Sequence, residues 1–306
     1  EAGGPHPAPL DALQCLGRTD VPTGEFWARA QTHRVEDWRR IFVKQSAAAA
    51  HIYGKKLVAM EAFTTLGPHW EKDPWDLKPT ADRAFCEGAN QLFQVIFTHS
   101  PVEVGKPGYE FFAGTHFNPN ITWWNQASAW TQYIARCQWM LRQGLFVADV
   151  CYYYGDNVPN FVPLKQIDPS LGPGYDYDMV NSEVIMTRMS VADGRIALPD
   201  GMSYRLLVLP NREAIPLPVL QKIDQLVRAG ATVVGPKPSK ATGLQDYPRC
   251  DQNVREIADA LWGACDGTTI QENSVQYGKI IWGKPLRQIL LDDDVSPDFT
   301  YKGSQP

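Results

Sequence analysis

The stretch Leu57-Val58-Ala59-Met60-Glu61-Ala62-Phe63-Thr64-Thr65 decides how the first half of the chain is read. Four apolar residues run into a glutamate, and small and hydroxyl-bearing residues follow. A short apolar run closed by a carboxylate is the pattern of a buried parallel strand that delivers one acid to the C-terminal rim of its sheet, where barrel folds keep their chemistry. Glu61 is therefore the leading catalytic candidate. A second apolar run, Leu92 to Phe97, ends in Thr98-His99-Ser100-Pro101. The two strands are expected to sit side by side, each ending in polar groups.

Upstream, residues 1–25 are rich in Pro and Gly and read as loop with short elements between. Glu1-Ala2-Gly3-Gly4-Pro5-His6-Pro7 has the look of a rim loop after a strand, and Asp20-Val21-Pro22-Thr23-Gly24-Glu25-Phe26-Trp27 repeats the theme of a short stretch ending in an acid and an aromatic. Glu1 and Glu25 thus join Glu61 as rim carboxylates. From Val35 to about Ala50 apolar residues recur at helical spacing, which predicts an amphipathic helix leading through Gly54 into the Leu57 strand.

Downstream, Leu66 to Trp75 is too irregular for an element, and its two Trp would make a wall for a sugar ring or a packing anchor. Thr80 is expected to cap a short helix ending at Gly88, and Asn120 or Thr122 to begin a long helix reaching Gln143, with Trp123, Ala127, Trp130, Ile134, Cys137 and Leu141 as its apolar stripe. The domain break is expected there. Beyond it, Leu145 to Tyr154, Tyr204 to Pro210 and Ala231 to Pro236 read as strands, with a helix from Pro218 to Ala229 between the last two. Strand, helix, strand with short turns predicts a parallel, doubly wound sheet. A further helix is expected from Val254 to Trp262 and a short strand from Gly278 to Trp282.

Bulk properties narrow the function classes. A net charge of −5 argues against nucleic acid, whose phosphates need a basic surface. No run of about 18 apolar residues is present to span a membrane. The six cysteines, at 15, 86, 137, 151, 250 and 265, form no C-x-x-C pair; they read as buried thiols, with one or two disulfides open. There is no H-x-x-x-H zinc pair and no glycine-rich phosphate loop. All six histidines and eight of the ten tryptophans precede residue 140, so site-building residues concentrate in the first half. The chain starts at Glu1 rather than Met and reads as a piece of something longer.

Acids at strand ends suit glycoside hydrolysis, which sets two carboxyl groups across the scissile bond, one to protonate the leaving oxygen and one to activate water or attack the sugar. Each could equally be a surface acid. His6 and His99 could bond a sugar hydroxyl or be satisfied within their loops. Gly263-Ala264-Cys265-Asp266-Gly267 matches the outline of a nucleophile elbow, but the histidine base such a thiol needs is missing, since no histidine follows His116.

Taken together, EAGGPHP, LDALQCLGRTDVPTGEFW, MEAFTTLG, GANQLFQVIFTHSP, GTHFNPNITWW and QYIARCQWMLRQGLFVADVCYYYG resemble glycoside hydrolase family 106, the α-L-rhamnosidases, over most of residues 1–240. The resemblance implies the C-terminal half of a (β/α)8 TIM barrel over 1–144, a flavodoxin-like, glutamine-amidotransferase-like α/β domain over 145–296, and a linker at 297–306 to a further domain. It implies inverting hydrolysis of terminal α-L-rhamnosides of plant or microbial glycans, a calcium ion, and a periplasmic or extracellular location. Glu61 would be the general base; Glu25 and Glu1 would hold calcium or substrate; His6, Trp27 and His99 would line the substrate. The general acid is expected upstream of Glu1, which would leave the 306 residues inactive alone. Oligomerisation through the second domain is compatible with this reading. The alternatives are a retaining β-galactosidase-like enzyme with Glu61 as nucleophile, and a non-catalytic carbohydrate-binding or assembly protein.

Overall fold

The computed structural model describes residues 10–28, 43–66, 70–162, 169–300 and 302–303, so Glu1, His6 and the first turns of the helix expected from Val35 lie outside the described residues. Contacts divide the chain into two units, one holding residues up to 51 together with 55–145, the other 52–54 and 146 onward.

The first unit runs α1 (Ala12–Gly17), β1 (Thr23–Trp27), α2 (Val43–Ile52), β2 (Ala59–Thr64), α3 (Pro74–Cys86), β3 (Gln91–Gln94) and α4 (Ala127–Leu141). The three strands form one parallel sheet in the order β1-β2-β3. Phe26, Met60 and Ala62 alternate onto the face that carries the core, where they meet Ala47 and Ala50 of α2, Leu77, Ala81 and Ala84 of α3, and Trp130 and Ile134 of α4. Each large side chain removed from water there contributes about 1.5–3 kcal/mol. Because side chains alternate along a strand, Glu25 and Glu61 point to the opposite face.

Three sequence expectations change here. Helix α3 begins at Pro74, not near Thr80, so the supposedly irregular stretch already contains its start: the Asp73 carboxylate accepts from the Trp75 and Asp76 amides at 2.8 and 3.1 Å, and Pro74 occupies the first turn, where its missing N–H costs nothing. Pro79 is accommodated inside the helix. The long helix starts later than Thr122, a 3-10 turn (Trp124–Gln126) preceding α4, and Leu141 is exposed rather than part of the buried stripe. Strand β3 pairs only through Gln94, so His99 stands five residues beyond its end rather than on it.

The second unit contains β4 (Val150–Tyr153), β5 (Tyr177–Val180), α5 (Ser182–Arg188), a meander of β6 (Ser190–Ala192), β7 (Arg195–Ala197) and β8 (Ser203–Tyr204), then β9 (Leu206–Val208), β10 (Ala214–Ile215), α6 (Leu217–Arg228), β11 (Thr232–Val234), β12 (Lys240–Ala241), α7 (Arg249–Trp262), β13 (Glu272–Val275), β14 (Gly278–Ile281) and α8 (Leu286–Asp292). Its main sheet has the order β13-β14-β11-β9-β4-β5, parallel except for β13. Counted along the chain, the five parallel strands stand 2-1-3-4-5. Strands β4, β5 and β9 are buried along their whole length, which explains the unbroken apolar runs of β4 and β9; β5 carries the buried Asp178, which accepts from the Tyr204 hydroxyl at 3.1 Å. Val219, Leu220, Ile223, Leu226 and Val227 give α6 a single buried stripe. The antiparallel strand β13, Glu-Asn-Ser-Val, carries too little apolar pattern to be read from sequence.

All six cysteines are free thiols. Cys265 lies past the C-terminal end of α7, not in a strand-to-helix turn, and burial pushes its thiol up, so it is no nucleophile elbow.

Candidate active site

Parallel pairing sets Glu25 of β1 directly beside Glu61 of β2, and Glu61 directly beside Phe93 of β3, so both carboxylates occupy one rung of the sheet. Glu25 is 7% exposed and Glu61 is partly buried. The expectation that each acid sits at a strand end is corrected: both lie in the middle of their strands, with their polar partners two rungs further on.

The second of those steps is irregular. Phe26 pairs with Ala62, but Trp27 pairs with Thr64, so Phe63 is an extra residue in β2, and its φ of +68° is left-handed, uncommon for a bulky side chain. Residues three apart on a regular strand face opposite ways; the bulge brings Thr64 round to the side of Glu61. Its hydroxyl donates to Glu61 Oε1 at 2.6 Å. On the neighbouring strand the Trp27 indole Nε1–H donates to Glu25 Oε1 at 2.9 Å. Each acid thus holds a donor from two rungs further along. Sequence alternation could not have revealed Thr64, because nothing in the letters of β2 marks the bulge.

The two acids stand too close to act as a pair across one scissile bond. Neighbouring strands lie about 4.8 Å apart, whereas the acid and base of an inverting glycosidase stand about 6.5–9.5 Å apart to admit a water. Glu25 is thereby placed to position a ligand or Glu61, not to act across a scissile bond from it. Glu61, with one oxygen engaged by Thr64 and Oε2 without a protein partner among the described residues, has the arrangement of a general base.

A second cluster stands on the rim beyond β2 and β3. The chain from Gly114 to Phe117 pairs along Val95 and Ile96, with Thr115 N to Val95 O at 2.7 Å and Ile96 N to Thr115 O at 2.6 Å, while Gly114 N reaches Thr65 O at 2.7 Å. Gly114, at φ +108°, permits this approach, since a Cβ would fall 2.9 Å from Val95 Cγ1. The loop buries His116, whose Nε2 lies 3.3 Å from Glu110 Oε1; the same oxygen accepts from the Trp70 indole at 3.1 Å, and the Trp70 and His116 rings meet edge-on at 4.1 Å. Trp70, Glu110 and His116 were not legible as a group, being spread over 47 positions. His99, by contrast, is exposed, its ring stacked on Tyr109 at 6.1 Å. Trp75, the other rim tryptophan, is 87% exposed on the first turn of α3.

Among the described residues no group of three or more His, Cys, Asp or Glu side chains stands close enough to hold a metal. Calcium takes six to eight oxygens, and Glu25 alone does not supply them. Glu1 lies outside the described residues.

Thr64→Val tests the positioning role of the bulge. In the full-length protein it is expected to lower kcat about tenfold, the value of one hydrogen bond to a charged group, with little change in KM, and Thr64→Ser is expected to restore most of the loss. Equal kcat for Thr64→Val and wild type would remove Thr64 from the site.

Comparison with known proteins gives three findings. A family whose description is alpha-L-rhamnosidase matches residues 1–305. The solved rhamnosidase of Novosphingobium sp. PP1Y is 29% identical and superposes with a TM-score of 0.84 over 96% of this chain and 28% of its own. A protein of Formosa agariphila provisionally named a beta-glucuronidase is 36% identical over 260 residues, 85% of this chain and 21% of that protein. The chain therefore spans less than a third of each of these two proteins.

Proposed function

Because the chain belongs to the alpha-L-rhamnosidase family, glycoside hydrolase family 106, we propose that it forms part of a glycosidase that removes terminal α-L-rhamnose from glycans with inversion at the anomeric carbon. The observation that carries the role of Glu61 is its in-register place beside Glu25 with the Thr64 hydroxyl on one oxygen. In this reading Glu61 takes a proton from a water as that water attacks the anomeric carbon, and Glu25 and Trp27 fix the floor of the site. The complementary acid, which protonates the departing oxygen, is to be sought outside the described residues. Any calcium ion would likewise draw its remaining oxygens from there.

The parallel strands β1, β2 and β3, each separated from the next by a helix, support reading the first unit as consecutive strands of a (β/α)8 barrel. The 2-1-3-4-5 order supports reading the second unit as flavodoxin-like. No helix among the described residues is long and apolar enough to cross a membrane, and a periplasmic or extracellular site of action is part of the proposal.

The test uses the full-length protein and two aryl glycosides. An α-L-rhamnoside is expected to turn over at least about tenfold faster than the matching β-D-glucuronide, a difference of roughly 1.4 kcal/mol in transition-state binding. Proton NMR of the first-formed sugar should show the β-anomer. Release of α-rhamnose would assign Glu61 as a nucleophile in a retaining mechanism, and glucuronide preference would move the substrate to the sugar named for the Formosa protein. Rhamnose binding without turnover would leave a non-catalytic module.

A further inference from the structure

The rim loop that carries Glu110 is tied to the strand that carries Glu61. Gly114 N donates to Thr65 O at 2.7 Å, one residue past the Thr64 whose hydroxyl holds Glu61, and Trp70 meets Glu110 and His116 of that loop. Thr65 lies four residues beyond Glu61. At the usual rise of a strand, the cluster stands roughly 10 Å further along the sheet than the carboxylate, which places it over the next sugar rather than the one attacked there. We infer that Trp70 and Glu110 form the subsite for the leaving group of the glycosidase, and that they select a neutral sugar there over an acidic one. The inference rests on the proposed function for the sugar that is cleaved and adds the residues that read what it is cleaved from.

The Trp70 ring is fixed in place and still open to water. It meets the buried His116 ring edge-on at 4.1 Å, and its indole Nε1–H donates to Glu110 Oε1 at 3.1 Å, while 42% of the residue stays exposed. A pyranose has C–H groups on its faces and hydroxyls around its edge, so it matches an apolar ring with a polar group held beside it. Glu110 supplies that group. Its Oε1 faces Trp70 Nε1 and His116 Nε2, and its Oε2 enters no hydrogen bond among the described residues. Tyr109, Phe111 and Phe112 of the same loop are exposed as well, and large apolar side chains gathered in the open beside a polar group mark a binding surface.

The charge of Glu110 sets the selection. A carboxylate only accepts, so Oε2 rewards a sugar hydroxyl and finds no proton on a second carboxylate. A uronate over Trp70 would bring two like charges together as water leaves, which disfavours the acidic sugar. Contacts made on the leaving side act on turnover as well as on affinity, because they hold the anomeric carbon against the attacking water. The indole and the carboxylate are already bonded to each other, so little ordering is left for binding to cost.

Steady-state kinetics of the full-length protein test the subsite with α-L-rhamnosyl fluoride, whose leaving group is a single atom, and with two rhamnosyl disaccharides of one linkage that end in galactose and in galacturonate. Wild type is expected to favour the galactose disaccharide at least about tenfold in kcat/KM, and Glu110→Gln, whose amide can donate to a uronate, to narrow that preference below about threefold. Trp70→Ala is expected to lower the ratio of kcat/KM on the galactose disaccharide to that on the fluoride at least about fivefold, and Trp70→Phe, which keeps a stacking face, to recover most of it. If Trp70→Ala does not fold, Glu110→Gln decides alone. Equal losses on disaccharide and fluoride in a folded Trp70→Ala, a wild-type preference for the galacturonate, or an unchanged preference in Glu110→Gln would each overturn the subsite. Preference for a β-D-glucuronide would fail the rhamnose reading alone, and the same comparison on glucuronyl fluoride and glucuronyl disaccharides then decides the subsite; turnover of neither sugar overturns both.

Discussion

Glu61→Gln in the full-length protein is expected to lower kcat on an α-L-rhamnoside by at least about 100-fold, with KM nearly unchanged, because glutamine keeps the shape of the side chain but cannot take a proton from water. A general base contributes about 10²–10⁴, and Thr64 Oγ1 at 2.6 Å from Oε1 leaves Glu61 its other oxygen for a water. Glutamine can still accept the threonine hydroxyl through its carbonyl, so the floor of the site is preserved and the loss reports proton transfer. Steady-state kinetics measure it directly. Turnover within about threefold of wild type would reassign the base and leave Glu61 a binding group.

Phe63→Ala is expected to destabilise the first unit by about 3–5 kcal/mol, the usual cost of removing a large aromatic side chain from a core. The ring is fully buried and sits 5.0 Å from Phe26, 5.9 Å from Phe117 and 5.8 Å from Trp130, so one side chain joins β1, α4 and the Gly114–Phe117 segment. Alanine loses that payload and still has to adopt the left-handed backbone. Urea unfolding of the chain, followed by tryptophan fluorescence, should show the first unit melting at lower denaturant while the transition of the second unit stays in place. A loss under about 1 kcal/mol would mean the ring is not what pins the bulge.

Strands β2, β4, β9 and β11 were legible because buried parallel strands are short apolar runs with few competing interpretations, and Leu57–Thr65 and Tyr204–Pro210 are of that kind; β5, with Asp178 inside it, gave no such run. The end of helix α3 was legible too, but its start was not, because Trp70, Pro74, Trp75 and Pro79 look like loop letters, although Asp73 followed by Pro74 is a start signal that could have been used. Strand β13 was missed because its pairing with β14 rests on backbone hydrogen bonds and its side chains are mostly polar. Within the site, the acids could be picked out one at a time from their strands. Their shared rung could not, since register is a relation between segments. His116 and Glu110 gave no signal at all: a buried histidine and a half-exposed acid find each other only after the loop after β3 has folded back on Val95 and Ile96.

The extra residue at Phe63 has a meaning for reading other chains. Glu-Ala-Phe-Thr is a four-letter word in which the first and last letters cooperate and the third is punctuation. A reader who assumes strict alternation would send the threonine into the core and discard it. In relatives of this chain, an acid followed three places later by a hydroxyl, with a bulky apolar residue just before that hydroxyl, is the spelling to look for, and the aromatic letter is the one whose loss would scramble the word.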